Sequence, residues 1–299
     1  MRKHKTARFF ITLLIVLAVL ASLGVGGFFL LDKVVVPKYF GSFGINNMSD
    51  LTQMMGTLYT SKNESKFITN PYTETDLQTA ENKLKLVGFP SLETGRLDYK
   101  AIAEESYTVD NTAEVKLTDK ELASVLNGML SSGILSEKLP NLKYINTLNM
   151  QLLEIIIKPK ETDGVLDPNS ATIELAIKID TTSLKAQIAE EMQTPLFLLN
   201  MIIPKTMYIN VNFDLTANGE NWEYTNSAIR INGKKTSQSQ ILLNLLIKFI
   251  FPAEDEMTIA KLNTEFGSVL IEGVDLLGNI QFSNEIYSTK QNGVVITFK

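Results

Sequence analysis

Three acidic groupings in this chain have the composition of a reactive or metal-binding site. Asp163, Asp167 and Asn169 suggest a calcium loop, but their spacing and the position of Gly164 do not fit one, and a turn between strands uses the same residues. Glu104-Glu105 and Glu190-Glu191 are adjacent carboxylates of the kind a general acid and base would need. Neighbours on a strand point to opposite faces and on a helix stand about 100° apart, so neither pair converges on one substrate atom. Both are expected on solvated faces. The chain has one histidine, His4, and no cysteine. Beyond residue 4 that removes imidazole-based triads, thiolate nucleophiles, disulfides and His- or Cys-ligated zinc. There is no GxxxxGK[ST] loop, no GxGxxG after a strand, no GxSxG elbow, and no SxxK with an SDN or KTG partner. No catalytic residue, metal or cofactor is expected, and the chain does not read as an enzyme.

What the sequence does offer is apolar surface. Pro195 to Pro204, PLFLLNMIIP, has Asn200 as its one polar residue. Ile241 to Phe251, ILLNLLIKFIF, reads as a helix on which Gln240, Asn244 and Lys248 form one narrow polar stripe and the remaining arc is apolar. Two accounts fit these segments. In one they bury one another in a sheet-helix core and the protein is an envelope scaffold or interaction protein. In the other they line a groove for an acyl chain, which needs an apolar wall with few polar groups. The groove account names Leu196, Phe197, Ile202 and Phe213 from the first half of the lining. From the apolar helix it names Leu242, Leu245, Leu246 and Phe249.

The elements that must position these residues follow from periodicity. Ser49 can cap a helix from Asp50 to about Tyr59, and Thr73 or Thr75 another from about Asp76 to Val87, closed by Gly88 and Pro90. Arg96 to Leu117 reads as strand-like. Thr118-x-x-Glu121 is a capping box, followed by Leu122, Val125, Leu126, Met129 and Leu130 at the spacing of one helical stripe. A strand from about Tyr144 to Lys158 is expected to pair with Thr172 to Asp180 across the turn-rich ETDGVLDPNSA, giving a sheet with one wet face. Ser183 to Met192 is a helix, Met207 to Leu215 alternates as a strand, and Ala217-Asn218-Gly219 turns it into Trp222 to Ile231. Ser237-x-x-Gln240 caps the apolar helix, a further helix runs from about Thr258 to Leu277, and the chain ends in a hairpin turned at Asn292-Gly293. The strand, cap and helix at 114–130 recur at 228–251, in a pattern common enough to arise without duplication.

Ahead of all this lies Phe9 to Leu31, 23 residues without a charge, preceded by Arg2, Lys3, His4, Lys5 and Arg8. As a helix it would reach about 35 Å, enough to span a hydrocarbon core of about 30 Å. It is too long for the apolar part of a cleaved signal and lacks a small-x-small cleavage site. The basic flank places the N-terminus in the cytoplasm and everything from about Val34 outside. Ala18, Ser22 and Gly26 share one face of the span and would allow a second helix to approach closely, although such residues are ordinary membrane composition too. Six of the chain's 28 Lys and Arg and one of its 33 Asp and Glu lie in the first 38 residues, so the rest carries 22 against 32, a formal charge of −10. A domain of that sign does not seek nucleic acid by bulk electrostatics.

On LTDKELASVLNGML (Leu117 to Leu130), IIPKTMYINVNFDL (Ile202 to Leu215) and IRINGKKTSQSQILLNLL (Ile229 to Leu246), together with the anchor, the chain resembles membrane-anchored extracytoplasmic proteins of Gram-positive bacteria. Their outer part is similar to the TULIP lipid-binding fold, a long helix wrapped by a curved antiparallel sheet. The resemblance implies binding or transfer of a lipid or glycolipid at the cell envelope. The expected organisation is a cytoplasmic tail and anchor over 1–38, a stalk with two short helices over 39–95, and an α+β domain over 96–299, its antiparallel curved sheet packed with amphipathic helices.

Overall fold

The computed structural model describes residues 31–41, 44–60, 66–103, 107–109, 113–132, 149–191, 193, 195–218, 221–235, 279–284, 286 and 291–298. The chain divides into two units, Met1–Met55 and Gly56–Lys299. In the first, a π-helical turn (Leu31–Val35) leads into α1 (Val36–Phe40), which carries Pro37 in its first turn, where a missing N–H costs no helical bond. α2 (Met48–Thr60), which belongs to this unit as far as Met55, starts with the Met48 N–H donating to Asp32 Oδ1 at 2.6 Å and the Asp50 N–H donating to Asn47 Oδ1 at 2.9 Å. Lys38 to Asn47, where Gly41 and Gly44 suggest a short flexible stalk from sequence, is helical to Phe40, and both Phe40 and Ile45 are buried. Among the described residues no helix is long and apolar enough to cross a membrane. Residues 9–30 of the expected span, with Ala18, Ser22 and Gly26, lie outside them.

The second unit is α+β with two antiparallel sheets. The larger runs β2-β3-β4-β5-β6, from β2 (Asn149–Thr162), β3 (Val165–Asp180), β4 (Thr206–Asn218), β5 (Asn221–Ile231) and β6 (Lys234–Lys235). Before it in the chain come α3 (Glu74–Leu86), α4 (Tyr99–Ala103), β1 (Glu114–Thr118) and α5 (Asp119–Ser131). Between β3 and β4 lie α6 (Thr182–Glu191) and α7 (Leu196–Ile202). The last strands, β7 (Asn279–Ser283) and β8 (Gly293–Thr297), join β1 in a small sheet of order β1-β8-β7.

Alternation sets the register of the large sheet. Ile157, Ile173 and Phe213 form one cross-strand row, and Ile155, Leu175 and Val211 the next. The side chains of this face are buried against α5, α3 and the small sheet, β7 resting on β3 with Phe282 edge-on to Trp222 at 5.9 Å. The expected turn at ETDGVLDPNSA shrinks to Asp163 and Gly164, whose φ values of +53° and +76° suit a two-residue hairpin. Strand continues from Val165, and Pro168 is accommodated in the register shift between Pro159 and Lys160, where the ladder needs no N–H from it.

The outer face of the sheet is not simply wet. Residues 67–70 lie across it: Phe67 stacks on Tyr208 at 4.7 Å, and Asn210 donates to the Phe67 carbonyl at 3.1 Å. Thr69 gives its N–H (3.1 Å) and its hydroxyl (2.8 Å) to the buried Glu154 carboxylate, which also accepts the Asn70 N–H.

α5 is opened by the expected capping box, the Glu121 N–H donating to Thr118 Oγ1 at 3.2 Å and the Thr118 N–H to Glu121 Oε2 at 2.9 Å. It covers the free edge of β2, where Asn127 Oδ1 accepts the Leu152 N–H at 2.9 Å and Asn292 Nδ2 donates to the Ile157 carbonyl at 2.7 Å. Those bonds satisfy an edge that would otherwise template association. The segment read as strand from Arg96 to Leu117 is instead α4 followed by the short β1. Arg96 Nε and Tyr99 OH converge on the buried Glu81 carboxylate, at 2.8 and 3.0 Å, and that polar knot holds the chain out of the sheet. Asn292-Gly293 is not the closing turn. Gly293 opens β8, and a Cβ there would stand 2.1 Å from the Leu117 carbonyl oxygen, so the glycine serves the close approach of β1 and β8.

Candidate functional site

The helical cap between β3 and β4 is closed at its base by Thr181, whose N–H donates to the Lys205 carbonyl at 3.0 Å and whose hydroxyl donates to that of Pro204. α6 turns Leu184 and Ile188 inward, both fully buried, with Lys185 beside them on the same face. In α7 the inward residues are Leu198, Leu199 and Ile202. At about 100° per residue, Leu196, Asn200, Phe197 and Met201 fall in that order within one arc of about 140° on the opposite side. All four are exposed: Leu196 by 45%, Phe197 by 64% and Met201 by 40%.

A buried cation is bonded to this arc through Asn200. Lys185 is 5% exposed, and its ammonium donates to Asn200 Oδ1 at 2.8 Å, its one hydrogen bond among the described residues. No carboxylate among the described residues pairs with it. Burial pulls its pKa below the ordinary lysine value; the charge of Asp180 opposes that shift and Lys205 adds to it. Asp180 is held below the usual carboxylate range by the hydroxyl and N–H of Thr182.

The residues named from sequence separate. Leu196 and Phe197 share the exposed arc, whereas Ile202 is fully buried on the other side of the same helix. Phe213 is 2% exposed and packs on Tyr224 at 5.2 Å within the main core, so neither Ile202 nor Phe213 lines an open groove. Leu242, Leu245, Leu246 and Phe249 lie outside the described residues. Sequence marks Asn200 only as the polar residue of its segment and does not single out Lys185 or Met201. The trace they leave in the sequence is a lysine beside Leu184 and Ile188 on an otherwise apolar helical stripe.

A concavity of about 450 Å³ opens at the start of α5 between Asn70, Asp76, Thr118, Asp119, Lys120, Glu121, Gln291 and Asn292. Its acids already have structural tasks. Asp76 closes the capping box of Thr73, and Glu121 closes that of Thr118 and receives Lys83 Nζ at 2.7 Å. Asp119 accepts the Lys120 N–H at 2.8 Å. Burial raises its pKa; the Lys120 hydrogen bond and charge pull the other way, and Glu154 and Asp76 add to the rise. Among the described residues no cluster of three potential metal ligands forms, and no nucleophile is paired with a base in this cleft. The chemistry available there is hydrogen bonding at a helix start, whereas the cap offers a buried charge in an apolar surround. Comparison with family models, with curated proteins and with solved structures gives no match.

Proposed function

We propose that this chain is a bitopic protein of the cell envelope, held by Phe9 to Leu31 with its N-terminus in the cytoplasm, whose outer part binds or transfers a lipid or related amphiphile at the membrane. The observation that carries the reading is the outward face of α7, where three large apolar side chains lie together on an acidic body. Single exposed apolar residues are ordinary, but contiguous ones mark a binding surface. The lipid contact is accordingly assigned to Leu196, Phe197 and Met201, with Ile202 buried on the other side of the same helix and Phe213 in the main core. α5 lying against an antiparallel sheet supports the likeness to TULIP domains.

A scaffold without a lipid ligand is the second reading, and the filled inner face of the large sheet favours it. A photoreactive p-benzoylphenylalanine in place of Phe197, in the full chain in its native membrane, separates the two. Irradiation is expected to give an adduct of lipid mass. Adducts to protein alone would move the assignment to the scaffold. Labelling no greater than that of the same group at Val165, which is 70% exposed at the far hairpin, would remove this face from either function.

A further inference from the structure

Lys185 is costly as the fold leaves it. A buried charge is tolerated when it is paired and fully hydrogen-bonded. An ammonium has three donors, and Asn200 Oδ1 takes one. Nothing in the core of the cap needs the charge, because Leu184 and Ile188 beside it are apolar and fully buried. Asn200 is itself exposed and sits between Leu196 and Phe197 around the helix, so the buried lysine is joined through its amide partner to the surface inside the apolar arc. A buried cation bonded to an amide that apolar side chains flank is complementary to one kind of molecule, an amphiphile whose anionic group joins its hydrocarbon at short range.

Resting on the lipid reading above, we infer that the α6–α7 cap binds the headgroup of an anionic phospholipid, with Lys185 and Asn200 on the phosphate and Leu196, Phe197 and Met201 against the first part of the acyl chain. Burial of Lys185 beside Leu184 and Ile188 lowers the local dielectric, so the charge pair is stronger there than on open surface. Lys205, exposed just past Pro204, adds a second positive charge at the base of the cap. Since the outer part is strongly acidic, it repels anions generally and attracts one here, which gives headgroup selectivity rather than broad adhesion to anionic membranes.

The test uses the full chain in a nonionic detergent, titrated with dioleoyl phosphatidylglycerol or dioleoyl phosphatidylcholine and read by native mass spectrometry. The wild type is expected to retain the anionic lipid with a preference of about tenfold or more, the range of one charge-assisted hydrogen bond. Lys185→Met is expected to keep both lipids equally while melting no lower than the wild type, since it deletes a charge that the apo fold does not use. A folded Lys185→Met protein with the preference intact overturns the inference. Equal retention of both lipids by the wild type overturns it while leaving the lipid reading standing, whereas retention of neither sinks both. Phe197→Ser, at an exposed position, supplies the control if Lys185→Met fails to fold: it must lower retention of both lipids, and unchanged retention counts against the site.

Discussion

Glu154 shows what one side chain does in this fold. It sits on β2 with 4% exposure, and its carboxylate gathers the N–H and hydroxyl of Thr69 and the N–H of Asn70. Glu154→Gln turns an amide NH2 toward donors that cannot accept it, and we expect a loss of about 1 to 3 kcal/mol, read as a lower urea midpoint. Asp119 behaves in the opposite sense. Its folded pKa is raised, chiefly by burial, so between the ordinary 3.8 and that raised value the folded state holds the extra proton and stability falls as pH rises. Asp119→Asn should therefore melt above the wild type at pH 7, with the gain vanishing below pH 3.8; a gain that persists at pH 3 would refute the assignment. Legibility at this scale follows distance along the chain. The Thr118 and Glu121 box could be read directly because both partners lie in one turn, while the partners of Glu154 lie 85 and 84 residues away and leave no local mark.

Among elements, α7 divides sharply between its two faces. Phe197→Ser, at an exposed position, should change stability by less than about 0.5 kcal/mol, whereas Ile202→Ala on the buried side should cost about 2 to 5 kcal/mol in the same denaturation series. Similar losses from both would mean that the outer face is covered and not available to a ligand. Gly293→Ala tests the junction of β1 and β8. The added Cβ meets the Leu117 carbonyl and the Cα of Thr118, both backbone, so neither can swing aside as a flexible side chain would. A loss at or above the roughly 1 to 3 kcal/mol of ordinary overpacking is expected, as a drop in melting temperature. The strands of the large sheet were readable because each presents one apolar face at period two, as Ile173, Leu175 and Ile177 do opposite Phe213, Val211 and Ile209. α4 and the 67–70 crossing were not, because segments this short take their conformation from tertiary partners such as Glu81 and Glu154. Asn292-Gly293 has the composition of a hairpin turn, yet its glycine answers to a neighbouring backbone, a demand that composition does not distinguish from a turn.

At the scale of the molecule, charge and apolarity are partitioned along the chain. Five basic or potentially basic residues precede an uncharged run of 23, and a part carrying a formal −10 follows. With the run as a permanent anchor, that partition places the basic end inside and keeps the α7 face within reach of the outer leaflet, where a modest affinity suffices because the tether raises the local concentration of lipid. With the run removed as a signal, the same face would have to find lipid from free solution, and one short helical arc is a small area for that. The two cases give different masses. Protein extracted from its membrane is expected to resist alkaline carbonate and to show the intact 33.3 kDa chain in mass spectrometry. A mass short by the first thirty or so residues, with the protein in the carbonate supernatant, would convert the anchor into a signal and leave the α6–α7 cap to act as a freely diffusing lipid carrier or not at all.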